Sequence, residues 1–120
     1  MTKEEIDSYI INWYWDEKSR KFAYQLAEYL FAFLDDVKES GASERTYKKH
    51  KDNCWFIGSF ICQYGYHDEF SPSVFEYPPY HDLQFERKVS NSKSAVSSYE
   101  STCNKLEKYG LKKGDLKYEK

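Results

Sequence analysis

Residues 19–40 read SRKFAYQLAEYLFAFLDDVKES, residues 41–43 read GAS, and residues 44–64 read ERTYKKHKDNCWFIGSFICQY. In the first segment Phe22, Leu26, Leu30, Phe33, Leu34 and Val37 recur at spacings of three, four and one, which puts them on one stripe of an α-helix. Tyr24 and Phe31 widen that stripe. Gly41 suits a left-handed cap where the helix stops. Ser43 suits the N-cap of a helix that follows. The segment Glu44–Tyr64 then carries Tyr47, His50, Cys54, Ile57 and Ile61 on one face. Two long amphipathic helices joined by a tight Gly/Ser turn must fold back on each other, because each has one apolar stripe to hide.

The second helix changes character along its length. Arg45, Lys48, Lys49 and Asp52 lie on the face away from the stripe, and Phe56 and Phe60 follow them on that side, with Trp55 and Cys62 on a third. A helix that is apolar all round is covered on several sides. Gly58 and Ser59 are small enough to admit a close neighbour.

Working outward, Thr2-x-x-Glu5 is a capping box ahead of Ile6, Ile10 and Trp13, which predicts a helix over residues 3–15. Asp16 and Ser19 interrupt that pattern and suit the start of the next element. Residues 65–80 hold Gly65, Pro72, Pro78 and Pro79 among Phe70, Phe75, Tyr77 and Tyr80. Proline excludes regular helix here, and the aromatics argue for an ordered loop pinned on the helices. A short helix is expected over 81–89, anchored by Leu83, Phe85 and Val89. Val96, Tyr99, Cys103 and Leu106 define a last helix over about 92–109, capped by Ser90 or Ser92 and ended by Gly110. Residues 111–120 read as a frayed tail. The expected fold is therefore all-α: a compact bundle of about four helices forming a single domain over residues 1–120, with an aromatic, Pro-rich loop at about 65–80.

Composition fits that reading with one peculiarity. Leu, Ile, Val and Phe total 24 of 120 residues, so Tyr (12) and Trp (3) must supply much of the core. Net charge is −2, which is not the global signature of a nucleic-acid-binding domain. Bases cluster locally: residues 92–120 hold seven against four acids. Three cysteines cannot all pair within one chain, and the start Met-Thr-Lys-Glu-Glu has no apolar leader run. The apolar stretch Cys54–Cys62 is too short to span a membrane. Free thiols in a reducing cytoplasm, without membrane, cofactor or metal, are the expectation.

His50 and Cys54 stand at i and i+4, but two ligands do not make a zinc site. Cys54 also falls on the packing stripe, where a free cysteine acts as a small hydrophobe. No phosphate loop, nucleophile elbow or catalytic acid pair stands out, so an enzyme is not expected. The preferred function is a non-catalytic interaction module, binding a protein partner or a second copy of itself. Trp55, Phe56 and Phe60 are its candidate interface residues. The second reading is a nucleic-acid-associated module, with Arg45, Lys48, Lys49 and Lys51 as candidate phosphate contacts.

The stretch Tyr29–Ile61, with Gly41-Ala42-Ser43-Glu44-Arg45-Thr46 at its turn, resembles the SAM-like core-binding domain at the N-terminus of phage integrases and other tyrosine recombinases. The likeness covers about a quarter of the chain and does not extend to a recombinase catalytic domain. It implies a helical bundle, with Arg45, Lys48 and Lys49 as candidate backbone contacts.

Overall fold

The two long central helices are α2 (Glu17–Glu39) and α3 (Glu44–Tyr64), preceded by α1 (Lys3–Tyr9) and followed by α4 (Asp82–Lys88) and α5 (Lys93–Lys113). A 3₁₀ turn, Pro72–Glu76, lies between α3 and α4. These elements come from a computed structural model that describes residues 2–64, 69–76 and 82–114. No strand occurs among the described residues. The fold is an all-α bundle.

Caps set where α1, α2, α3 and α5 begin. Thr2 accepts from the Glu5 amide at 3.2 Å, and α1 starts there. The predicted helix over 3–15 is shorter than expected: it ends at Tyr9, with Ile10 as C-cap. The reason lies downstream. The amides of Trp15 and Asp16 both donate to Ser19 Oγ, while Asp16 accepts from the Ser19 amide at 2.8 Å. That reciprocal box commits the backbone to opening α2 at Glu17, two residues before the apolar pattern predicts. Between the helices the chain turns, and the Trp13 amide closes on the Ile10 carbonyl at 2.8 Å.

At the other end of α2, Gly41 takes φ +92° and its amide bonds the Lys38 carbonyl. An L side chain rarely adopts that conformation, so glycine belongs there. Ser43 then accepts from the Thr46 amide at 3.2 Å and starts α3. Ser92 caps α5. Gly110 does not end α5: it is buried inside the helix, and Gly114 takes the left-handed cap at φ 78°. A Cβ added at Gly114 would meet nothing within 4 Å among the described residues.

The core runs through all the helices. Leu26, Leu30, Phe33, Leu34, Ile57, Ile61, Tyr99 and Leu106 are almost wholly enclosed. Aromatic contacts stitch it together. Tyr29 meets Phe75 at 5.2 Å and Tyr109 at 5.7 Å, and Phe85 stacks on Tyr99 at 4.4 Å. The described part of the loop behaves as expected, since Phe75 is buried and Phe70 packs on Phe22 and Tyr29. Residues 65–68 and 77–81, including Tyr77, Pro78, Pro79 and Tyr80, lie outside the described residues, as do residues 115–120; Leu111–Lys113, expected in the frayed tail 111–120, instead form the last turn of α5. Of the expected α4 anchors, Phe85 is buried and Val89 is 39% exposed; the Leu83 side chain lies outside the description.

Candidate functional site

The basic run of α3 does not form one patch. At about 100° per residue, Lys49 and Lys51 diverge by roughly 160° around the helix. Lys51 lies on the α1 and α2 side, its ammonium 5.9 Å from the Phe31 ring centroid. There it lines a groove with Glu4, Glu5 and Tyr9. Lys48 bonds Asp52 at 3.2 Å, an exposed i,i+4 pair. Arg45 is exposed and Lys49 half-buried, with no ion pair to either among the described residues. Of the four candidates, Arg45, Lys49 and Lys51 have no ion pair among the described residues, and Lys51 lies apart from the other two.

The aromatic candidates are mostly covered. Phe60 is buried. Phe56 is half-buried, edge-on to Phe85 of α4 at 5.7 Å. Trp55 is half-buried and donates its indole N–H to the Tyr9 carbonyl at 2.9 Å. Phe60 is corrected from interface to core, because α4 and α5 fold over that side of α3 and Tyr99 meets it at 6.4 Å. Gly58 receives a side chain, the Trp13 indole, where a Cβ would come within 2.1 Å of the ring.

The exposed large apolar side chains lie elsewhere. Trp15 is 73% and Ile11 58% exposed, both on the corner between α1 and α2. The sequence reading passed over them. The signal was present: neither falls on the Ile6, Ile10, Trp13 stripe, and Trp15 directly precedes the Asp16 cap.

A buried polar seam joins α3 to α5. His50 Nδ1 meets Thr102 Oγ1 at 2.6 Å, and Asn53 Nδ2 donates to the same oxygen at 2.9 Å. Asn53 also donates to the Ser98 carbonyl and hydroxyl, at 3.2 and 3.1 Å. His50 is fully enclosed, and its Nε2 has no partner among the described residues. Burial, helped by the charges of Lys49 and Lys105, pushes its pKa down to about 4. The imidazole is therefore neutral at physiological pH. Thr102 went unnoticed in the sequence because a lone threonine on an apolar seam has no period of its own.

The buried cysteines do not supply a thiolate nucleophile. Burial raises the Cys54 thiol well above its ordinary range and pushes Cys62 up to about 12, so neither carries thiolate at neutral pH. None of the three cysteines forms a disulfide. Among the described residues no group of three or more His, Cys, Asp and Glu is placed to hold a metal ion, and no helix is long and apolar enough to cross a membrane.

Comparison with known proteins adds no relative: the chain matches no protein-family model, no curated protein and no solved structure.

Proposed function

We propose that the chain is a non-catalytic helical interaction module whose contact surface is the corner between α1 and α2. The observation that carries this reading is Trp15, which is 73% exposed next to a well-formed cap. Tryptophan offers a large apolar area at small conformational cost and is enriched among residues that dominate binding energy. Ile11 enlarges the surface. The simplest occupant is the same corner of a second copy, because a two-fold contact uses each exposed side chain twice. Three cysteines outside any disulfide support a reducing, cytoplasmic setting.

Sedimentation over roughly 1–200 μM tests it, spanning the affinities that small apolar contacts reach. The wild type is expected to shift from monomer toward dimer, and Trp15→Ser to remain monomeric. A wild type that stays monomeric throughout, or a Trp15→Ser variant that dimerises equally well, defeats self-association through this corner.

A further inference from the structure

One face of α5 carries a pattern that the packing does not require. Ser94, Ser97, Ser101, Lys105, Lys108 and Lys112 follow one another at intervals of three and four, so they share one side of the helix. They are exposed, except Ser101, which is half-buried. The glutamates of α5, Glu100 and Glu107, stand about 100° away around the helix. The face thus alternates no charges. It runs from hydroxyls to ammonium groups.

An ordinary solvated helix face mixes acids and bases, since like charges three or four apart repel. The helix dipole accounts for cations in the last turn only. It covers Lys112 and Lys113 but not Lys105, two turns earlier. Lys105 and Lys108 have no ion pair among the described residues, and Lys112 meets Asp36 loosely at 3.7 Å.

The fold adds the uncompensated cations of α3 to this face. The His50–Thr102 contact holds α3 and α5 side by side, so Lys49 and Lys105 flank the same seam. Both act on His50 electrostatically. Where α5 passes the end of α2, Lys105, Lys108 and Lys112 line an open cleft of about 200 Å³ with Asp36 and Ser40.

We infer that the Ser/Lys face of α5, flanked by Arg45 and Lys49, is a contact surface for the phosphate backbone of duplex nucleic acid. Lysine, arginine and serine side chains are the groups that grip phosphate oxygens without reading bases. From Ser94 to Lys112 the face rises about 27 Å, or about eight base-pair steps. An acidic protein is the less suitable partner, because Ile11, Trp15 and Val89, the exposed large apolar residues, all lie off this face. The lysine end of this surface is also separate from the Trp15 corner, since it lies by Asp36 and Ser40 at the far end of α2, some 30 Å from that corner by helical rise.

The test is fluorescence anisotropy of a labelled, mixed-sequence 20-base-pair DNA duplex at low salt. Four uncompensated cations predict micromolar binding, with a log–log salt slope near −3 to −4. Lys105→Glu with Lys108→Glu is expected to weaken binding at least tenfold, and Lys51→Glu, on the α1 side, to leave it unchanged. Lys105→Gln with Lys108→Gln gives the same direction without adding acids, should charge reversal disturb folding. Absence of binding at low salt, equal binding by the double variants, or displacement by polyglutamate as effective as by unlabelled duplex would overturn the assignment.

Discussion

The two halves of α3 differ in what encloses them. Up to Asp52 the helix keeps a solvated wedge of Arg45, Lys48 and Asp52 between its contacts with α1 and α5. From Cys54 onward that wedge closes. Trp55 bonds to Tyr9, the Trp13 indole lies on Gly58, and Phe85 meets Phe56. The same backbone is a half-exposed helix at one end and nearly central at the other. Substitutions of equal size therefore have very unequal consequences along it.

The largest difference is expected where the cover is tightest. Trp13→Ala empties a site that is 3% exposed and is expected to cost about 3–5 kcal/mol by chemical denaturation. Gly58→Ala places a methyl against a buried, rigid ring. Overpacking of that kind costs about 3 kcal/mol at its upper end, offset by about 1 kcal/mol of helix propensity. In the wild type the net is about 2 kcal/mol destabilising. In a Trp13→Ala background the clash is gone, and Gly58→Ala is expected to stabilise by about 1 kcal/mol. A double-mutant cycle reads the coupling directly. Additive effects would mean that the ring does not rest on this glycine.

The contrast also marks what the residues disclose before folding. The stripe from Phe22 to Val37, the Gly41 turn and the bounds of α3 follow from periodicity and capping, which are local. The change along α3 from charged to aromatic was equally plain. Its meaning was not, because Trp55, Phe56 and Phe60 suit an interface or a core alike. Their covering groups come from Tyr9, Phe85 and Tyr99, distant in the chain. Trp15 goes the other way: its sequence position carries no expectation, and it is exposed. The basic residues show a third case. Local order suggested one patch, yet a helix sends Lys49 and Lys51 to different neighbours, and the matching cations were on α5.

The middle of α3 holds the next effect, and it depends on pH. His50 is neutral in the fold, with its pKa lowered from 6.5 to about 4 by burial, then by Lys49 and Lys105. In the unfolded chain it takes up a proton below 6.5. The unfolded state therefore binds more protons between those values. Stability linked to His50 is complete above pH 6.5 and is lost as pH falls toward 4, up to about 3 kcal/mol in all. Urea unfolding at pH 7.0, 6.0 and 5.0 is expected to show the decline beginning above the carboxylate range. His50→Gln is expected to flatten that slope between 7 and 5 whatever its own stability. An unchanged slope in the variant would place the proton uptake elsewhere.

The smallest effect belongs to the open wedge. Lys48 and Asp52 meet at 3.2 Å with side chains 76% and 62% exposed. Water screens such a pair, and holding two long side chains in one geometry costs entropy, so its worth is about 0.3–0.5 kcal/mol. A cycle of Lys48→Ala and Asp52→Ala is expected to give that coupling at low salt and almost none at 1 M, where the screening length falls to about 3 Å. A coupling above about 1 kcal/mol that survives high salt would mean that the wedge is shielded from water. The first half of α3 would then be enclosed like the second, and its charges would not be available to any partner.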